Sequence, residues 1–295
     1  MPTTGKAKYN WPLNWNENTK GPQLAPDQDC SWTVNVPPGY YAKLIISGTV
    51  TDNYSNFKML DSAGNVVLST LETKQPYYFP PTQFTLMVSN EAKATFAFMI
   101  VWAPIPTQPA FSSAVGTLPH LENATSSVFN NLYININKLS VLVFPQDVNN
   151  LVNLRSVLMF EANGHNDPVY VSNLNQVFMT GQQYVSSGSE IRLINLEART
   201  SLDYVLIQQY DALKDFHPYQ ALECNQRTNC TTTIDGGKKQ SAVVSAPHGT
   251  NYLVDVLMDS SATISIYYGS LTNLGIVGSY KGSKFRKLFR STDRM

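Results

Sequence analysis

Thr95-Phe96-Ala97-Phe98-Met99-Ile100-Val101-Trp102 is the stretch on which the fold turns. Phe96, Phe98, Ile100 and Trp102 alternate on one face, as side chains do along a β-strand. Ala97, Met99 and Val101 take the other face and are apolar too. A strand of this kind is expected to be covered on both sides.

Similar short runs repeat along the chain. Strands are expected at 42–47, 57–60, 66–69, 84–88, 132–136, 139–144, 157–160, 190–196, 204–209, 242–245, 252–257 and 263–268. Turn signals separate them, among them Pro37-Pro38-Gly39, Asp61-Ser62-Ala63-Gly64, Asn163-Gly164 and Asp235-Gly236-Gly237. No sustained 3.6-residue apolar period precedes the C-terminus. The expected class is therefore all-β, two antiparallel β-sandwiches in tandem, with helix content under about 15%, against roughly 30–35% in an ordinary domain. Ala103-Pro104-Ile105-Pro106-Thr107-Gln108-Pro109 reads as a stiff connector. It divides the chain into a domain at 1–106 and a second sandwich at 107–280. Residues 281–295 form a basic tail, in which Lys281, Lys284, Arg286, Lys287, Arg290 and Arg294 oppose only Asp293. Phe285, Leu288 and Phe289 fall at i, i+3 and i+4, so the tail is either a short amphipathic helix or a disordered segment.

Composition narrows the function classes. The chain has 295 residues, 21 basic and 21 acidic, and charged residues are 14% of the total. That is well under the ~25% of an average soluble protein. Balanced charge argues against nucleic acid as a partner, and no apolar run approaches the ~18 residues of a spanning helix. A surface wetted by Asn, Ser, Thr and Tyr suits an extracellular β protein. Cys224 and Cys230, six apart in a polar stretch, read as a small disulfide loop of an oxidising compartment. Cys30 is left odd, either buried and free or paired with a residue upstream. Sequons at Asn53, Asn123 and Asn229 are candidate glycosylation sites if the chain is secreted, although a chain this rich in Asn, Ser and Thr yields about four by chance. Met1-Pro2-Thr3-Thr4-Gly5-Lys6 holds no apolar signal core, so a signal peptide is not part of this chain.

Signatures of common catalysis do not occur: no Gly-x-Ser-x-Gly, phosphate loop, dinucleotide fingerprint, His-Glu-x-x-His or EF-hand. His120, His165, His217 and His248 are scattered, with no ligand spacing. No catalytic residue, metal site or cofactor is therefore assigned. Asp52 and Asp61 flank turns, either as cation ligands or as stabilisers of Asx geometry. Tyr77, Tyr78 and Phe79, followed by Pro80-Pro81, are the candidate ligand-contacting residues, an aromatic turn held out by prolines. The competing reading has these tyrosines filling the end of a sandwich.

One segment looks familiar as a unit. Asp29-Cys30-Ser31-Trp32-Thr33-Val34-Asn35-Val36-Pro37-Pro38-Gly39-Tyr40 resembles the opening of CUB domains, and Phe57–Leu60 with Asp61–Asn65 resembles the strand and turn that follow. Val36–Lys43, Asp61–Asn65 and Phe96–Trp102 together are most similar to the nematode CUB-like domain family, over about residues 9–105. A weaker rhythm over Tyr184–Tyr210 suggests a second copy after residue 112. The resemblance implies a jelly-roll type β-sandwich, an extracellular or cell-surface location, and a non-catalytic part in innate immune defence, with a microbial surface, a glycan or a protein as ligand. Calcium-binding CUB domains carry an acidic ligand where this chain has Ser55, which implies loss of that site. Beside this recognition reading stand a structural extracellular spacer and a hydrolase with dispersed catalytic residues. Oligomeric state is not legible in the sequence.

Overall fold

The computed structural model describes residues 8–107, 110–162, 167–222, 224, 228–237, 240–245, 252–268, 271, 275–282 and 285–290. Strands make up 52% of the chain and helices 6%, as an all-β reading requires.

The first sandwich contains β1 (Lys8–Trp11), β2 (Gln23–Leu24), β3 (Gln28–Asn35), β4 (Tyr40–Val50), β5 (Asn56–Leu60), β6 (Val66–Ser69), β7 (Leu71–Thr73), β8 (Tyr77–Phe79), β9 (Gln83–Asn90) and β10 (Ala94–Pro104). One sheet runs β1-β10-β4-β7, with β2 on β10 and β8 on β4; the other runs β3-β9-β5-β6. The deciding stretch lies in β10, antiparallel to β4 with Phe98 opposite Ile46. Its two faces are both covered, as expected. Phe96, Phe98 and Ile100 join Leu44, Ile46, Phe57, Met59 and Leu86 between the sheets. Ala97 and Met99 pack outward with Ile45 beneath Trp15, in the segment that straps over the sheet. Gly21 in that strap comes so close that a Cβ would lie 2.5 Å from the Ser47 carbonyl oxygen. Gly48 is equally obligatory, because a Cβ there would meet the Phe57 ring at 2.8 Å and the Thr95 carbonyl oxygen at 2.9 Å.

The second sandwich is built from β11 (Ala110–Ala114), β12 (His120–Asn123), β13 (Phe129–Ile134), β14 (Leu139–Phe144), β15 (Val157–Ala162), β16 (Val169–Asn173), β17 (Tyr184–Val185), β18 (Glu190–Asn195) and β19 (Tyr204–Gln209). Its sheets run β11-β13-β18-β15-β16 and β12-β19-β14-β17. All ladders are antiparallel except β11 on β13, which is parallel. A 3-10 turn at Val152–Ser156 and one short helix, α1 (Leu174–Met179), pack at its edge. Asn173 starts α1 with a capping box: its side chain accepts from Gln176 N, and Gln176 accepts from Asn173 N.

β14 and β15 are buried at all six positions each, and the reason is layering. Val157 and Met159 point between the two sheets of their own sandwich, with Val141, Val143, Leu193 and Ile207. Leu158 and Phe160 point the other way, onto the first sandwich. Leu142 and Phe144 point outward beneath β20 (Phe216–Ala221) and β21 (Gln240–Val244). β14 and β15 are thus each covered on both faces, and strands covered twice carry no polar face.

The remaining strands are β22 (Tyr252–Val256), β23 (Thr263–Tyr267), β24 (Ile276–Lys281) and β25 (Phe285–Arg290), paired β22–β25 and β23–β24. Over 285–290 this replaces the short helix or disordered segment expected of the basic tail with a strand. Lys281 ends β24, and 285–290 forms a strand, with Phe285 opposite Val256 and Arg290 opposite Tyr252. Ladder pairing satisfies backbone groups that a lone one-turn helix would leave open. Residues 291–295 lie outside the described residues.

Candidate functional site

Tyr77, Tyr78 and Phe79 are not displayed. They form β8, alongside β4, and are exposed by only 6%, 3% and 6%. The expectation of an aromatic turn projecting into solvent is corrected on this point, because Tyr77 and Phe79 turn into the first core and the second sandwich covers Tyr78. Phe79 stacks on Phe84 inside the first core, ring centroids 4.0 Å apart. The Tyr77 hydroxyl donates to Glu72 Oε1 at 2.8 Å, and the Arg155 guanidinium of the 3-10 turn lies 4.0 Å from the Tyr77 ring centroid. Tyr78 packs with Tyr41, Leu158, Phe160, Tyr170, Ile194 and Leu196 in a core shared by both sandwiches. Burial pushes both phenol groups far above their ordinary range.

Polar contacts pin the same junction. Lys43 pairs with Glu197 Oε1, whose other oxygen accepts from Arg199 Nη2 at 2.6 Å. Arg199 Nη2 also reaches the Tyr78 hydroxyl at 3.5 Å. Tyr170 donates to Asp61 Oδ2 at 3.2 Å, and Asn65 Nδ2 donates to the Val171 carbonyl at 3.0 Å. The proline-rich connector is held as well: Ile105 N donates to the Gly39 carbonyl, and the Pro106 carbonyl accepts from Asn130 Nδ2.

Asp61 therefore has two roles. It closes the turn to Gly64, whose φ is +87°, by accepting from Ala63 N and Asn65 N, and it meets the second sandwich. Asp52 accepts from Tyr54 N, Ser55 N and Ser55 Oγ, which holds its carboxyl below the ordinary range. Both take the turn-stabilising role. Among the described residues no group of three His, Cys, Asp or Glu is placed to hold a metal ion.

The remaining expectations fall as follows. Cys224 and Cys230 are disulfide-bonded, Cα atoms 5.9 Å apart, and Cys30 is free and half-buried in β3. Asn53 and Asn229 are exposed. Asn123 Oδ1 accepts from Thr125 N and Ser126 N, and Thr125 is fully buried. His165 and His248 lie outside the described residues. His217 is exposed in β20, its Nε2 3.1 Å from the Lys214 carbonyl. His120 packs 5.1 Å from the Tyr133 ring, and Tyr133 and Asn131 both donate to Glu122. Burial lowers His120 and raises Glu122.

One concavity was not signalled by the sequence. A cleft of about 440 Å³ opens in the second sandwich between the β14–β15 connection and the β18–β19 loop. Gln146, Asp147, Asn150 and Asn153 line one side, and Arg199, Thr200, Ser201 and Asp203 the other. Its walls are cross-braced. Asp203 Oδ1 accepts from Gln146 N at 2.8 Å, Gln146 Oε1 accepts from Leu202 N at 2.8 Å, and Asn153 donates to Ser201 Oγ at 3.1 Å. Buried Thr125 backs the floor, bonded to Ser201 Oγ at 2.9 Å and Asp203 Oδ2 at 3.1 Å. No histidine, lysine or cysteine lines the cleft, so Ser201 has no imidazole or amine base beside it.

Fold and site together define a tandem β-sandwich protein whose concave polar surface lies beside a sealed interdomain junction. Residues 1–106 match the family model of the CUB-like domain. The match falls on the first sandwich and spans just over a third of the 295-residue chain. A comparison with curated proteins finds no match. Among solved structures, the CUB1-EGF-CUB2 domain of human MASP-1/3 aligns at 7% identity with a TM-score of 0.24, covering 64% of this chain and 99% of that one. The CUB1-EGF-CUB2 domains of rat MASP-1 align at 7% identity and TM-score 0.23, covering 65% and 98%. At these scores neither adds to what the family match and the sheets establish. Among the described residues no helix is long and apolar enough to cross a membrane.

Proposed function

We propose that this chain is a non-catalytic recognition protein acting outside the cell, secreted or held at the cell surface, in innate defence against microbes. The observation that carries the reading is the CUB-like match over residues 1–106, since such domains serve as extracellular binding modules. Low charge, the Cys224–Cys230 disulfide and a braced cleft lined largely by neutral amides and hydroxyls support it. Exposed Asn53 and Asn229 are the proposed glycan attachment sites; the Asn123 carboxamide is engaged in its own turn. A second reading, a rigid extracellular spacer, draws support from the pinned junction alone. The experiment is binding of the labelled secreted protein to intact bacterial and fungal cells, with assays on ester, glycoside and peptide substrates alongside. Saturable cell binding without turnover is expected. Turnover would overturn the non-enzyme reading, and absence of binding to any cell would leave the spacer.

A further inference from the structure

The cleft between the β14–β15 connection and the β18–β19 loop has a lining chemistry that selects its ligand, and the selection proceeds by elimination. Its volume, about 440 Å³, falls within the ~300–1,000 Å³ of small-molecule sites. No aliphatic or aromatic side chain lines it, so it offers nothing to a lipid chain or to an apolar peptide anchor. Its single cation, Arg199, is already paired with Glu197 at 2.6 Å, and Asp147 and Asp203 line the cleft from its two sides. An incoming phosphate or sulfate would meet net negative charge. A divalent cation is no better served, because both Asp203 oxygens already accept hydrogen bonds, from Gln146 N and Thr125 Oγ1.

What remains is a dense mixture of neutral donors and acceptors: the carboxamides of Gln146, Asn150 and Asn153 and the hydroxyls of Thr200 and Ser201. Each of these groups can both donate and accept, which is the requirement set by a row of ligand hydroxyls. The wall is also preorganised. Arg199 N donates to the Thr125 carbonyl at 2.7 Å and Ala124 N to the Asp203 carbonyl at 2.7 Å, so the β18–β19 loop is stitched to the β12–β13 connection. Binding in such a place orders little that is not ordered already.

We infer that this cleft binds a neutral oligosaccharide, held by hydrogen bonds from the amide and hydroxyl side chains at 146–153 and 199–203. The inference rests on the non-catalytic recognition reading and names its ligand class. The test uses the full chain and four neutral trisaccharides as probes, namely chitotriose, maltotriose, laminaritriose and mannotriose, with a sulfated trisaccharide beside them. Titration calorimetry measures affinity, and mass spectrometry checks that each sugar is recovered intact. Asn150→Ala and Thr200→Ala remove exposed groups that brace nothing in the wall, so melting should stay unchanged. Each substitution should weaken binding of at least one neutral sugar about tenfold, the loss of roughly one good hydrogen bond. Binding of the sulfated sugar alone, or neutral-sugar binding that both variants retain, would overturn the inference. Failure of every neutral sugar, with cell binding intact in both variants, would also remove the cleft and leave the recognition reading standing. A neutral sugar bound in the cleft but recovered cleaved would support the site and defeat the non-catalytic reading.

Discussion

Arg155 of the second sandwich lies with its guanidinium 4.0 Å from the centroid of the Tyr77 ring of the first, while the Tyr77 hydroxyl donates to buried Glu72. The contact joins the 3-10 turn at Val152–Ser156 to β8. A side chain whose place in the sequence suggested display is thus part of the seal between two domains. Tyr78 beside it is buried in the core that both sandwiches share.

Tyr78→Ala should consequently destabilise the protein by about 3–5 kcal/mol, the cost of emptying a large buried aromatic site. Arg155→Ala should remove about 1–2 kcal/mol, the scale of a desolvated cation–π contact. Chemical denaturation of the two variants checks both figures. A Tyr78→Ala protein as stable as the wild type would show that the junction is not closed in solution.

Gly48→Ala tests the first core. A Cβ there meets both a ring carbon of Phe57 and the backbone oxygen of Thr95, and the backbone oxygen has little freedom to retreat. Overpacking of this kind costs typically ~1–3 kcal/mol. The same substitution at Gly116, where a Cβ would meet nothing within 4 Å, is the control and should change the denaturation midpoint little.

Glu122 and His120 predict opposing pH dependences. Burial raises Glu122 above its ordinary 4.5, so the folded state holds the proton more tightly than the unfolded chain. Its contribution to stability therefore falls as pH rises through the window above 4.5. Burial lowers His120 below its ordinary 6.5, so the folded state prefers the neutral ring, and stability is lost as pH falls below 6.5. In melting curves from pH 4 to 8, Glu122→Gln should flatten the decline toward neutral pH, and His120→Gln the decline toward acid. Parallel profiles for both variants and the wild type would contradict this.

Removal of the Cys224–Cys230 disulfide should have a small effect. The loop is six residues long, so its closure entropy is worth about 2 kcal/mol, less any strain. Cys224→Ser with Cys230→Ser should keep the same cooperative unfolding with a modestly lower midpoint. Thiol mapping of the secreted wild type should find Cys30 alone reactive.

Much of the fold was legible because its signals are local. The alternation at 95–102 told of a strand covered on both faces, and the largely apolar runs at 139–144 and 157–160 told of strands, which the layering covers on both faces as well. The short strands β7, β8 and β17 lack the length for a periodic signal. α1 was missed even though Asn173 and Gln176 have capping-box spacing, because six residues hold too few turns to show a period. β25 escaped because a strand with basic and apolar residues mixed imitates one helical turn. The cleft left no trace. Gln146 and Asp203 meet across 57 positions, and each is an ordinary polar loop residue by itself. Tyr78 was misplaced for a related reason: whether an aromatic turn faces water depends on what the rest of the chain sets against it.

The clamped connector, with Ile105 bonded to Gly39 and Pro106 to Asn130, has a consequence for how the molecule meets a large target. Two domains on a free tether can each search for a foothold, and the second engagement bears the entropy of restraining the tether. Here that restraint was installed when the chain folded, so a target touching both sandwiches meets a ruler of fixed spacing. Targets whose features match the spacing gain the second contact without a further ordering penalty, whereas mismatched ones cannot recruit it at all. Geometry, as well as the chemistry of any one pocket, then discriminates among them.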